Sequence, residues 1–195
     1  MNTKYSSPEI WVGCLAAYNN GKLHGCWIDM SVNDAEDVHA EIQKMLKASP
    51  EPDAEEWEIM DVSDWPFDAT KFEIEELCNI AHYMDKHGDA FCAWMQETGQ
   101  YDFTNRTDDM EDSFMAQSIG VCESPEGYAY DDLRSQFDAH SIAGTYSHQY
   151  VSATKLFELV DNMIDYSKHV DALESMGISF VEFDGQCFVF DSSQG

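Results

Sequence analysis

Between Lys47 and Lys71 the chain carries eight carboxylates, Glu51, Asp53, Glu55, Glu56, Glu58, Asp61, Asp64 and Asp68, and not one lysine or arginine. The pattern returns between Arg106 and Arg134, where Asp108, Asp109, Glu111, Asp112, Glu123, Glu126, Asp131 and Asp132 run without a base, and no Lys or Arg follows Lys168. Crowded carboxylates repel one another and are costly to bury unpaired, so any fold of this chain must hold them at the surface and apart. With 38 Asp and Glu against 10 Lys and Arg the formal net charge is -28. A chain so charged stays unfolded unless it has enough to bury. Here 44% of residues are hydrophobic and 13% aromatic, which supplies a core.

That balance excludes some partners. Nucleic acid and anionic membranes are held by clustered cations, which are missing, so direct binding to either is not expected. The start, MNTKYSSPEIWVG, lacks the apolar core of a signal peptide, and no run approaches the ~18 apolar residues of a membrane span, so the expected location is cytoplasmic. The charge is spread along most of the sequence rather than gathered in a tail. Duplex DNA carries one charge per ~1.7 Å of axis, so 28 net charges match roughly 48 Å of helix, or about 14 base pairs. A solvated acidic face or adaptation to high salt would give the same balance.

The acids alternate with foldable segments. Two apolar runs, Ile10 to Tyr18 and Leu23 to Met30, flank Asn20-Gly21, a pair suited to a two-residue type I′ turn. With Asn19 opposite Lys22, this hairpin puts Ile10, Val12, Cys14, Ala16, Leu23 and Trp27 on one face and Trp11, Leu15, Cys26 and Ile28 on the other. Both faces are apolar and both ask for cover. Asn33 and Glu36 predict a capping box before a helix with Val38, Ile42, Met45 and Leu46 on one side, and Trp57 to Val62 a third strand. Thr70 and Glu73 predict the cap of a helix ending near Gly88. Further helices are expected around Phe91 to Met95, over 108–118 and over 131–140, and one capped by Ser152 over 155–168, with His169 to Met176 extending or following it. Ile178 to Phe183 and Gln186 to Phe190 around Asp184-Gly185 read as a closing hairpin. The fold class is α+β: a chain of small units, with a ββαβ-type unit at 1–65, a helical unit at 66–119 and an α+β unit at 120–195 that ends in a β-hairpin.

Chemistry-bearing motifs are sparse. The sequence contains no GxGxxG, GxxxxGK[ST], HExxH or GxSxG, and no EF-hand loop. Six cysteines form no CxxC pair. In the expected register Cys14 and Cys26 fall on opposite faces, so reduced, buried thiols are expected. Cys78, His82, His87 and Cys92 could be drawn as a zinc site, but their spacing and apolar neighbours read as core packing. No enzyme activity, metal or cofactor is expected. The residues alone point to a basic partner, and leave open whether the chain inhibits a nucleic-acid-binding protein or serves as an acidic adaptor for one.

The stretch IWVGCLAAYNNGKLHGCWIDM, residues 10–30, resembles the N-terminal signature of the ArdA antirestriction family, with Tyr18, Asn19, Gly21, Gly25, Trp27, Ile28 and Asp29 matching. SPEPDAEEWEIMDV at 49–62, DMEDSF at 109–114 and FVEFDGQCFVFD at 180–191 resemble its acidic lead into a strand, its acidic-aromatic helix and its terminal hairpin. Residues 131–152 depart from the family's Leu- and Glu-rich antirestriction segment, and only Tyr150 answers to the stretch that follows it. The resemblance implies an elongated homodimer, travelling on mobile genetic elements, that mimics B-form DNA and occupies the DNA groove of type I restriction-modification enzymes. The acids expected to stand in for phosphates are Glu51, Asp53, Glu55, Glu56, Glu58, Asp61, Asp108, Asp109, Glu111 and Asp112. The alternative is inhibition of another basic nucleic-acid-binding protein, such as a CRISPR effector or a DNA-binding regulator.

Overall fold

Ile10, Val12 and Cys14 alternate along a strand and all three are fully buried, which sets the inner face of the first sheet. A computed structural model describes residues 5, 7–98, 107–139 and 153–194. The fold is α+β, with two three-stranded antiparallel sheets among the described residues. The chain groups into two compact units, Met1–Phe114 and Met115–Gly195.

In the first unit, β1 (Glu9–Cys14) lies between β2 (Gly25–Asp29) and β3 (Trp57–Ser63). The β1–β2 connection differs from the expected hairpin. Gly13 pairs with Gly25, Trp11 with Trp27 and Ile10 with Ile28, a register three residues away from the one expected. The intervening chain makes one helical turn, α1 (Leu15–Asn19), and Asn20-Gly21 ends it. Asn20 has φ -93°, outside the type I′ region, and only Gly21 is left-handed, at +72°. The Gly21 N–H donates to the Tyr18 carbonyl and the Lys22 N–H to the Ala17 carbonyl, both at 2.9 Å, which is a Schellman closure of a helix. Leu-Ala-Ala-Tyr has ample helix propensity, and a glycine just past it serves as readily for a helix stop as for a hairpin turn.

An odd shift of register moves side chains to the other face. Ile28 therefore joins the core, and Trp27, expected within it, is 45% exposed. Cys26 pairs with Val12, so it shares the inner face with Cys14 instead of opposing it. All six cysteines are free. The inner face is covered by α2 (Ala35–Lys47), whose Val38, Ile42, Met45 and Leu46 are buried as its periodicity predicts. Its cap is Asp34, which accepts from the Asp37 N–H at 3.0 Å, while Asn33 donates to the Asp29 carbonyl. The cap sits one residue later than expected.

Below the sheet, Trp65 is buried and donates its indole N–H to the Glu9 carbonyl at 2.9 Å. Asp68 caps a 3-10 turn at Ala69–Lys71, and Glu73 with Glu76 forms the capping box of α3 (Ile74–His87). Thr70, expected to cap this helix, sits in the preceding turn. α3 ends at Gly88, as expected, and α4 (Asp89–Thr98) follows with Phe91, Trp94 and Met95 fully buried. The next helix, α5 (Thr107–Gln117), adds Phe114, whose ring makes edge contacts with Phe91 and Trp94.

The second unit centres on β6 (Gln186–Asp191), flanked by β4 (Ser118–Cys122) and β5 (Ile178–Phe183). β4 was not expected from sequence. Asp184 and Gly185 both have positive φ, and Phe183 pairs with Gln186, so the closing hairpin is the two-residue turn expected. Cys187 to Phe190 are four successive buried residues, the mark of a strand covered on both faces. α6 (Pro125–Ala139) is longer than the helix expected over 131–140. The long helix expected over 155–168 is two, α7 (Ala153–Val160) and α8 (Tyr166–Ser175), separated by a 3-10 turn at Asp161–Met163. Ser152, its expected cap, and residues 140–151 lie outside the described residues.

Candidate functional site

The candidate acids of the first unit begin at the turn between α2 and β3. Ser49-Pro50 stops the helix, the Ser49 hydroxyl accepts from the Glu51 N–H at 3.2 Å, and Asp53 holds a left-handed φ of 60° that aspartate tolerates better than most residues. Of the candidate acids here, Asp53, Glu55, Glu56, Glu58 and Asp61 are exposed. Glu51 is not. Its side chain is 13% exposed and accepts from Lys22 Nζ at 2.5 Å and from Asn20 at 3.0 Å. Further bonds fix the same loop. The Leu15 N–H donates to the Glu56 carbonyl at 3.1 Å and the His24 imidazole to the Met45 carbonyl at 2.8 Å. Glu51 thus works as an anchor for the β1–β2 connection, with its charge already answered.

Glu58 and Asp61 are three residues apart and in a regular strand would face opposite ways. A bulge removes the conflict. Gly13 pairs with Glu58, Val12 with Ile59 and Trp11 with Asp61, which leaves Met60 as the extra residue. Both carboxylates consequently stand on the outer face, beside Trp11 and Trp27. The two indoles are a directly opposed pair with ring centroids 5.8 Å apart at 56°. Two glycines lie beneath the floor of this face. A Cβ on Gly25 would lie 2.4 Å from the Val12 carbonyl oxygen and 2.8 Å from the Trp11 ring, and one on Gly13 would lie 2.3 Å from the Met60 sulfur. Trp11 therefore lies over Gly25, and the Met60 thioether over Gly13. With Tyr18 and Leu23 they border an open basin of about 720 Å³.

α5 carries the other candidates. Asp109 and Asp112 are exposed, and the side chain of Asp108 lies outside the described residues. Glu111 accepts from Lys86 Nζ at 2.7 Å and from His87 Nε2 at 2.6 Å, tying α5 to the end of α3. Those two bonds, that of Lys86 foremost, hold its carboxyl below the usual glutamate range. Asp64 and Asp68, which lie outside the set expected from sequence, belong to the same base-free run, and both are exposed. Hydrogen bonds from Thr70, then from Lys71, keep the Asp68 carboxyl below its ordinary value. Among the described residues no group of three His, Cys, Asp or Glu is placed to hold a metal. His87 is taken up by Glu111, and Cys92 is buried in α4, with burial pushing its thiol up to about 12. Among the described residues no helix is long and apolar enough to cross a membrane.

A family model described as antirestriction protein (ArdA) matches residues 10–185, nearly the whole chain. The chain belongs to the ArdA antirestriction family. No curated protein matches it. Membership in the ArdA family makes this an antirestriction protein, from a family of inhibitors rather than of enzymes. The residues that carry the N-terminal ArdA resemblance have structural work to do. Gly21 closes α1, Gly25 lies beneath Trp11, Ile28 is buried, and Asp29 accepts from the Ser31 N–H at 2.8 Å and the Ser31 hydroxyl at 2.6 Å. The exposed acids are carried on the frame these residues build.

Proposed function

We propose that this ArdA-family chain is a DNA mimic that occupies the DNA-binding groove of a type I restriction-modification enzyme and so blocks it. The observation that carries the reading is the run of exposed carboxylates from Asp53 to Asp61, fixed by a turn and a strand and lacking any base. Rigid placement matters because a groove built for phosphates rewards charges already held where the phosphates would lie. Asp53, Glu55, Glu56, Glu58 and Asp61, with Asp109 and Asp112 of α5, would meet Lys and Arg of the target. Glu51 and Glu111 support this surface through the cations they already hold. Asp108 belongs to the proposal on sequence alone. The division into units at 65 and 119, an extended body and a homodimer are parts of the same reading. No bond is made or broken.

The test is competition. Increasing amounts of the protein should displace a labelled recognition duplex from a purified type I complex and stop its cleavage of DNA. The apparent affinity should fall steeply between ~50 and ~200 mM salt, because the groove exchanges ions whenever it exchanges a polyanion. Binding that leaves the duplex in place, or affinity indifferent to salt, would overturn DNA mimicry in favour of an acidic adaptor.

A further inference from the structure

The basin on the outer face of the first sheet does something that phosphate mimicry does not require. A phosphate surrogate needs an exposed carboxylate and no aromatic surface, yet here Trp27 is 45%, Tyr18 60% and Leu23 79% exposed around a floor of Trp11 and Met60. The floor exists because Gly13 and Gly25 leave space for the thioether and the indole, and the acids stand on this face because the β3 bulge turns both of them outward. Among the described residues, none that lines the basin is basic.

The geometry points to a docking site for an arginine side chain on a partner protein, with an apolar neighbour of that arginine resting against Leu23 and Tyr18. Indole faces are negative and attract a cation placed over them. A guanidinium is planar and weakly hydrated, so it stacks on an aromatic face while its N–H groups reach a carboxylate, here Glu58 or Asp61. Charge complementarity selects this occupant over a second copy of the chain. Two copies meeting through this basin would bring the Glu58 and Asp61 of each against those of the other, which leaves a homodimer through some other surface unaffected. Lys22, the cation of the neighbouring loop, is held by Glu51. The inference goes beyond the proposed function, since it needs neither a restriction complex nor displacement of DNA.

The experiment uses the full-length 15N-labelled protein titrated with the tripeptide acetyl-Leu-Arg-Ala-amide, reading the indole N–H resonances of Trp11 and Trp27. Both should shift saturably. The same peptide with citrulline, which keeps the shape and loses the charge, should bind at least ~2- to 5-fold more weakly, the range for an exposed cation on an aromatic face. The E58Q/D61N double variant should weaken arginine binding, whereas E36Q/D37N, with the same change of net charge on α2, should not. The spectrum itself reports whether each variant is folded. Unmoved indoles, equal binding of the citrulline peptide, or equal behaviour of the two double variants would overturn the proposal. Concentration-dependent shifts of the same indoles without peptide would overturn it in favour of self-association. Indole shifts in a protein that fails to displace DNA would leave this inference standing and remove the mimic, and the converse would do the opposite.

Discussion

Single atoms decide the outer face of the N-terminal sheet. At Gly25 a methyl group would collide with a backbone oxygen, 2.4 Å away, which cannot withdraw without disturbing the strand pairing, and with the bulky indole of Trp11. At Gly13 the obstacle is the end of a flexible methionine, which can rotate away. Gly25→Ala should therefore destabilise the protein by about 1–3 kcal/mol, the usual range for overpacking. Gly13→Ala should stay within about 1 kcal/mol of wild type, since alanine also costs less backbone entropy in a strand. Urea denaturation of both variants checks the order, and equal losses would contradict this account of the floor. Sequence could not rank these glycines. Their difference depends on which side chain lies across each, and that follows from the register. The same applies to Trp27, whose composition suggests core and whose pairing with Trp11 places it at the surface.

Among the elements, α3 and α5 are joined through one carboxylate. Glu111 is held below its ordinary pKa by Lys86 and His87, so its folded-state value lies under its unfolded one. Stability of this origin is complete above the unfolded glutamate pKa of about 4.3 and is lost as pH falls through the depressed value. Glu111→Gln should lower the urea midpoint at pH 6 and flatten its decline between pH 6 and 3, because the variant has nothing there to protonate. A decline parallel to that of the wild type would show that the contact does not contribute. Legibility at this scale followed the strength of local signals. α2, α3, α4 and β3 were readable from apolar periodicity, while the caps of α2 and α3 fell on Asp34 and Glu73 rather than on Asn33 and Thr70. The two turn dipeptides gave opposite results. Asp184-Gly185 lies between β-branched and aromatic residues and makes the hairpin, while Asn20-Gly21 follows Leu-Ala-Ala-Tyr and stops a helix. β4 escaped because it is only five residues long and has Gly120 at its centre, and its alternating Ile119 and Val121 are exposed, so no burial pattern distinguishes it. The break between α7 and α8 falls at Asp161-Asn162, residues that favour local turns over helix interiors.

For the whole molecule the charge should act as a sum. Glu55→Gln with Glu56→Gln should reduce inhibition of DNA cleavage only modestly, because exposed ion pairs are worth ~0 to 1 kcal/mol each. Neutralising Asp53, Glu55, Glu56, Glu58 and Asp61 together should remove most of it while circular dichroism stays unchanged. Loss of all inhibition from Glu55→Gln alone, in a folded protein, would mean point recognition by one carboxylate and end the distributed reading. Which acids are available to that sum was only partly legible. The two base-free runs are plain in the sequence, but Glu51 of one and Glu111 of the other are already paired, a fact that depends on cations far from them along the chain. The bulge at Met60 has a consequence for how such a surface changes over evolutionary time. Because one supernumerary residue sets which way Glu58 and Asp61 face, a lineage could redraw its display of negative charge by relocating that residue along the edge strand. Ile10, Val12 and Cys14 beneath it would be left as they are, so the pattern presented to a target can drift faster than the core that carries it.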